Sequence, residues 1–242
     1  KIPVVMLTGM AEKDEIIEAV QAGTFDYLVK PVEKELLLAM VDRLAAEGIV
    51  LSHIDVGGGQ GIQYSEDESA LDIRAWADCV IDAVGDRALE ILVEPGRFIV
   101  GQAGVLLTRV EYLKNNEDRH FAVVDAAMND LIRPAMYDAY HDIIPVVEPA
   151  AGAEPEVYDI VGPVCESGDT FAKARSMAAM REGELVAFRS AGAYGAVMAS
   201  EYNSRPLIPE VLVKGDQFAV IRPRPSLEEM LARDTIPEWL DR

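Results

Sequence analysis

Short continuous apolar runs alternate with amphipathic stretches along the first hundred residues, and closely spaced strand-like segments follow. Residues 2–8 (Ile-Pro-Val-Val-Met-Leu-Thr) are unbroken by charge, as suits a buried parallel strand. Residues 12–22 place Ile16, Ile17 and Val20 on one face, an amphipathic helix closed by Gly23. Tyr27-Leu28-Val29 predicts a second short strand, halted by Lys30-Pro31. Leu36, Leu37, Met40, Val41 and Leu44 then stripe a second helix that Gly48 ends. This β-α-β-α order belongs to parallel sheets with crossover helices.

The same grammar continues with a strand at Ser52–Val56 and the turn Gly57-Gly58-Gly59-Gln60-Gly61. An amphipathic helix is predicted over 66–87, carrying Trp76, Val80 and Val84, and Ile91-Leu92-Val93 is the next strand. Beyond it, 105–113, 121–126, 157–164, 185–190 and 211–222 read as strands, and Ser226-Leu-Glu-Glu229 has capping-box spacing for a short last helix.

Composition narrows the function classes. The chain has 242 residues, half of them hydrophobic, enough for one large domain or two modest ones. A formal net charge of −20 disfavours nucleic acids and anionic membranes, whose phosphates such a surface repels. No stretch approaches the roughly 20 apolar residues that span a bilayer. The two cysteines, Cys79 and Cys165, are too few for a disulfide scaffold and lack metal-ligand spacing, so no metal site is expected and a reducing cytoplasm is the default. The chain opens on Lys1 with no signal-peptide pattern, which reads as an excerpt or a processed product.

Candidate chemistry lies at two strand ends. A glycine run lets several backbone N–H groups approach a phosphate without interference from Cβ. Glu94-Pro95-Gly96-Arg97 sits at the C-terminal end of the next strand, the edge where β/α barrels gather catalytic and phosphate-binding groups. The two loops together are a sharper signal than either alone.

The opening segment resembles the C-terminal half of a response-regulator receiver domain, through Pro3–Gly9 and Ala22–Pro31. The resemblance implies phosphate contacts for Thr8 and Lys30 and a switch aromatic at Tyr27. The phosphoaccepting aspartate and the Mg²⁺-binding acidic pair belong to that family's first half, so phosphotransfer is not expected.

Residues from about 45 to 226 resemble the C-terminal portion of the diaminopimelate decarboxylases, pyridoxal 5'-phosphate (PLP) enzymes of the alanine-racemase-like fold. The carrying motifs are His53–Gly59, Glu94–Val100, Asn129–Tyr137, Gly162–Asp169, and Gly192–Gly195 with Tyr202-Asn203, in that order. Gln60 departs from the family, which usually has Leu there. The resemblance implies that Gly58, Gly59 and the backbone of Glu94, Pro95, Gly96 and Arg97 bind the PLP phosphate, with the Tyr194 hydroxyl added. Arg97 would also meet a substrate carboxylate, and Arg133 with Tyr137 would hold the distal end of the amino acid, since a guanidinium fork binds carboxylate bidentately. Cys165 is implied as the proton donor after CO₂ loss and Glu166 as the reader of the distal ammonium, both reaching across a dimer interface. Singly, Arg133 could be a surface ion pair, Tyr194 a core residue and Cys165 a small buried hydrophobe.

The expected fold class is therefore α/β plus β: partial (β/α)-barrel-type parallel βα units followed by an antiparallel β-domain. Its expected division is a receiver-like fragment at 1–44, a barrel segment with the PLP-phosphate loops at 45–104, and a C-terminal β-domain with a short terminal helix at 105–242. The four βα repeats could share one parallel sheet, whose uncovered edges would favour association. The implied function is decarboxylation of meso-2,6-diaminopimelate to L-lysine, in a homodimer or with a full-length subunit. The family's cofactor-carrying lysine falls in an earlier motif that these residues lack, so the chain is expected to be inactive alone. Lys30 echoes that motif but lies too close to Gly57 to take its place. The alternative is a non-catalytic fusion or pseudo-enzyme acting as a dimer partner or regulatory protein.

Overall fold

A computed structural model describes residues 34–116, 119–150 and 152–240, with the backbone of Val5–Thr8 and Asp26–Val29. The receiver-like helix expected over 12–22, Lys30 and Pro31 lie outside the described residues. Two compact units are formed, one from Lys1–Gly57 with Asp72–Glu94, the other from Gly58–Leu71 with Pro95–Arg242.

In the first unit, β1 (Val5–Thr8) runs parallel to β2 (Asp26–Val29), Val5 opposite Asp26. Helix α1 (Lys34–Ala46) buries Met40, Val41 and Leu44, part of the stripe read from the sequence. Its end shows why Gly48 stops it. Gly48 takes φ +80°, its N–H bonds to Ala45 O at 3.0 Å, and Ile49 N–H bonds to Leu44 O at 2.9 Å. That pair of bonds closes a Schellman motif, and Ile49 completes it by packing against the Met40–Leu44 cluster.

Strand β3 (His53–Asp55) pairs in parallel with β4 (Glu90–Leu92). Between them α2 (Ile73–Val84) starts later than its apolar pattern suggested, because Asp72 caps it through Arg74 N–H and Ala75 N–H, each at 3.0 Å. Arg87 forks onto Asp42 of α1, Nε to Oδ1 at 2.8 Å and Nη2 to Oδ2 at 2.7 Å. Among the described residues these strands form two separate two-stranded sheets, not one four-stranded sheet.

The second unit carries α3 (Gly96–Val100) and a six-stranded sheet built from β5 (Leu106–Asn115), β6 (His120–Val124), β7 (Ile143–Pro145), β8 (Pro155–Val161), β9 (Thr170–Ala178) and β10 (Leu185–Phe188). The strand order is β7-β10-β5-β6-β8-β9. Along β5 the side chains of Leu106, Thr108 and Val110 turn inward while Leu107 and Arg109 face out, the period-two signature of one buried face. Val110, Ala122, Val124, Ile160, Val186 and Phe188 form the centre of the core. The expected antiparallel domain needs one correction: β6 and β8 are parallel. The chain from Asp125 to Glu154 is long enough for the crossover that a parallel pair demands, and it holds the short helix α4 (Arg133–Tyr137) as well as β7.

The run expected as one strand at 211–222 is a hairpin of β11 (Glu210–Lys214) and β12 (Gln217–Arg222), turned at Gly215 with φ +61°. After it, Ser226 and Glu229 form the predicted capping box at the start of α5 (Leu227–Leu231). Among the described residues no helix is long and apolar enough to cross a membrane.

Candidate active site

The glycine run begins where the β3–β4 ladder ends. Glu94 N–H bonds to Gly57 O at 2.9 Å, and Gly57 N–H bonds to the Asp55 carboxylate at 2.8 Å. Gly57 and Gly59 take φ of +71° and +87°, and a Cβ on either would meet nothing within 4 Å. Glycine is needed here for backbone conformation rather than for space. In the second unit, α3 begins at Gly96 behind Pro95, with no side chain capping its first turn. The N–H groups of a helix's first turn have no partner within the helix, and that of Arg97 is among them.

Three glycines join this segment to the loop of Tyr194. Gly192 N–H bonds to Gly101 O at 3.0 Å, and Ala191 N–H bonds to Gly104 O at 2.9 Å. A Cβ on Gly104 would lie 2.6 Å from Gly192 Cα, and one on Gly192 would strike Val100 O. This contact is possible only between bare backbones. Tyr194 itself adopts φ +60° and stays 46 % exposed. A left-handed tyrosine costs about 1–2 kcal/mol, and such outliers cluster where the surrounding structure dictates a side chain's direction.

Arg133 opens α4 and is buried. Its Nη1 donates to the Tyr64 hydroxyl at 3.0 Å and to His141 Nε2 at 3.2 Å. Tyr137, at the other end of α4, is exposed, as are Cys165 and Glu166 on the turn before β9. Among the described residues no hydrogen bond or ion pair joins Cys165 or Glu166 to Arg97, Arg133 or Tyr194.

The Cys165 turn is set by Asp169, whose side chain is almost fully buried. Its carboxylate accepts Val164 N–H at 2.7 Å and Met128 N–H at 2.6 Å, while Gly162 N–H reaches the Asp169 carbonyl at 3.0 Å. Gly162 must be glycine because a Cβ would overlap that carboxylate. Burial pushes the Asp169 carboxyl above its ordinary range against the pull of those two N–H groups. Beside it, Asp130 accepts Ala127 N–H at 2.9 Å and pairs with Arg205 at 3.6 Å. Burial raises its carboxyl too. Arg205 also holds Asn129 Oδ1 at 2.9 Å, and Asn129 exchanges hydrogen bonds with the Ser200 backbone. Three motifs distant in sequence, around Asn129, Cys165 and Tyr202, are thus tied through buried polar groups.

Sequence reasoning gave no role to Tyr64, His141, Asp130, Asp169 or Arg205. Asp130 and Asp169 stood inside quoted motifs, each directly after an asparagine or a glycine. Tyr64 and His141 carried no pattern.

The residues present fit a phosphate-bearing cofactor. Gln60, next to Gly58 and Gly59, is 4 % exposed, and among the described residues neither its amide nitrogen nor its amide oxygen finds a partner. A buried amide without a partner is costly, and a water or a polar group of a ligand would relieve it. No group of three or more His, Cys, Asp or Glu that could hold a metal occurs among the described residues.

Residues 24–192 match the family described as "Pyridoxal-dependent decarboxylase, C-terminal sheet domain", and the chain belongs to that family. Within it, the chain is 54 % identical over 200 residues to the diaminopimelate decarboxylase of Neisseria meningitidis serogroup A, covering 83 % of this chain and 48 % of the relative. It therefore spans about half the length of the curated relatives it matches. The Helicobacter pylori diaminopimelate decarboxylase complexed with L-lysine superposes with a TM-score of 0.76 at 36 % identity, covering 96 % of this chain and 54 % of that one. The diaminopimelate decarboxylase of M. jannaschii in co-complex with L-lysine superposes with a TM-score of 0.81 at 31 % identity, covering 93 % of this chain and 56 % of that one. The family match begins ahead of the junction expected at residue 44, and no comparison supports the receiver resemblance.

Proposed function

We propose that these residues supply the phosphate cup and the substrate-recognition groups of a decarboxylase that converts meso-2,6-diaminopimelate to L-lysine. The observation that carries the reading is the bare-backbone contact of Gly192 with Gly101 and Gly104, which couples the Arg97 segment to the Tyr194 loop. Both were singled out as cofactor-binding segments.

PLP, when bound, supplies the electron sink that makes loss of CO₂ from an amino acid feasible. Gly58, Gly59 and the backbone of Glu94, Pro95, Gly96 and Arg97 would bind its phosphate, with Tyr194 adding a hydroxyl. Arg97 would meet a substrate carboxylate. Arg133 and Tyr137 would hold the distal end, and Glu166 would read the distal ammonium. Cys165 would deliver its Sγ proton to the carbon that has lost CO₂. Its exposure, like that of Glu166, suits residues that act in the active site of a partner subunit. The chain spans about half the length of the curated relatives it matches, and activity is proposed for an assembly to which it contributes Cys165 and Glu166.

The test is complementation. The chain is mixed with a full-length diaminopimelate decarboxylase whose own cysteine and glutamate of this motif have been replaced. Release of CO₂ from meso-diaminopimelate is expected with the natural chain and not with Cys165→Ala. Equal release with both, or with neither, ends this assignment of Cys165.

A further inference from the structure

Arg133 is 9 % exposed, yet among the described residues no carboxylate pairs with it. A buried guanidinium ordinarily needs an anion, because desolvating an uncompensated charge is expensive. Here its neighbours are two neutral acceptors on a single nitrogen. Nη1 donates to Tyr64 Oη at 3.0 Å and to His141 Nε2 at 3.2 Å. The Tyr64 ring also lies beneath the guanidinium, 5.2 Å from Cζ to the ring centroid, and meets the His141 ring edge-on at 5.6 Å.

The histidine's protonation follows from its partners. Arginine can only donate, so Nε2 must present its lone pair. The ring proton then sits on Nδ1, which faces the Arg189 carbonyl at 2.9 Å. A second proton would set two donors against each other at 3.2 Å. Only the neutral Nδ1–H tautomer satisfies both sides. Burial, reinforced by the nearby charges of Arg133 and Arg175, lowers the His141 pKa in the same sense. The rest of the frame is held too. Arg175 donates to the His141 carbonyl at 3.0 Å, and Tyr64 N–H bonds to the Glu68 carboxylate at 2.7 Å.

We propose that Tyr64 and His141 are positioning residues that clamp Nη1 of Arg133, so that the remaining N–H edge of the guanidinium, its charge uncompensated among the described residues, receives a carboxylate of the ligand. This rests on the reading of Arg133 as a substrate-binding residue. It adds a clamp of neutral acceptors, chosen because a carboxylate in their place would neutralise the charge the ligand needs. The pair also links the loop after the cup glycines, through Tyr64, to the carboxylate-binding arginine.

The test uses two ligands that differ by one carboxylate, L-lysine and cadaverine, with binding to the chain measured by calorimetry. Arg133→Gln should cut the preference for L-lysine by about ten- to a hundred-fold, the worth of hydrogen bonds to a charged group. Two substitutions separate clamping from mere support of the fold. In His141→Gln the amide oxygen can replace Nε2 as acceptor for Arg133. In His141→Asn the amide can replace Nδ1–H toward Arg189 but leaves Arg133 without its acceptor. The proposal expects the preference to survive His141→Gln and to fall in His141→Asn, with Tyr64→Phe, which keeps the ring, lowering it as well. In the ligand-free chain, separate ¹⁵Nη signals for Arg133 should merge in His141→Asn as the guanidinium begins to rotate.

A preference lost with Arg133→Gln but untouched by His141→Asn and Tyr64→Phe overturns the clamp and spares Arg133. The reverse ranking of the two His141 variants also overturns it, by showing a structural role toward Arg189. No preference for L-lysine in the natural chain removes the reading of Arg133 itself, and the clamp's purpose with it.

Discussion

The Asp169 carboxylate accepts the backbone N–H of Met128 at 2.6 Å, across forty-one residues of sequence. Its other oxygen holds Val164 N–H at 2.7 Å, so one buried side chain fixes the turn of Cys165 against the segment that leads into Asn129 and Arg133. Hydrogen bonds to a charged acceptor contribute about 1.5–3 kcal/mol each, more than neutral ones.

Asp169→Asn is isosteric but cannot accept both amides as well, because one terminal atom becomes a donor. We expect a stability loss of about 1–3 kcal/mol, read as a lower urea midpoint. Hydrogen exchange should locate it: the amides of Met128 and Val164 lose protection while those of β5 and β6 follow the global change. Unchanged protection at Met128 would show that the carboxylate is not what holds the turn.

The Gly192 contact makes a sharper demand. Alanine there drives a methyl into Val100 O, and backbone on both sides leaves little room to yield. Gly192→Ala should cost about 1–3 kcal/mol, as overpacking does, and should weaken PLP binding by separating the Arg97 segment from Tyr194. Gly61→Ala is the control. A Cβ there meets nothing within 4 Å and its φ is not left-handed, so its midpoint should stay near that of the natural chain.

What could be read from the sequence was what is local. The apolar stripe of α1 and its Gly48 stop, the strands at either side of α2, the capping box at Ser226 and the glycine run all depend on neighbours a few positions away. β9 escaped notice because its alternation breaks at Ala174, which takes φ +48° and gives its N–H to Asp159 Oδ1 at 2.7 Å. The parallel pairing of β6 with β8 escaped as well, since pairing direction is a tertiary choice that strand patterns do not encode. The site divided the same way. Motifs pointed to Arg97, Arg133, Cys165 and Tyr194, but Tyr64 and His141 meet Arg133 through contacts that no spacing announces.

His141 should also leave a pH signature. Its pKa is lowered in the folded chain, whereas the unfolded imidazole titrates near 6.5. The folded state thus binds its proton less readily than the unfolded state. Stability from this group is full above about pH 6.5 and is lost as pH falls from there through the folded pKa. Glutamine at this position does not titrate. The stability of the natural chain relative to His141→Gln should therefore decline between pH 7.5 and pH 5, as measured by urea midpoints at the two values. A constant difference would mean that the imidazole is reached by water and is not held neutral.

Gln60 offers the opposite kind of test, a substitution expected to stabilise. Its side chain is buried at 4 % exposure, and both amide heavy atoms lack partners among the described residues. Leaving such a group unsatisfied costs about 1–3 kcal/mol, whereas leucine of similar volume carries no such penalty. Gln60→Leu should raise the melting temperature of the ligand-free chain. If the amide serves a ligand at the adjacent phosphate cup, PLP should stabilise the natural chain more than the variant, and the gap in melting temperature should narrow as PLP is added. A variant less stable than the natural chain without ligand would show that the glutamine amide is already satisfied, by water or by neighbours, and that its burial carries no vacancy.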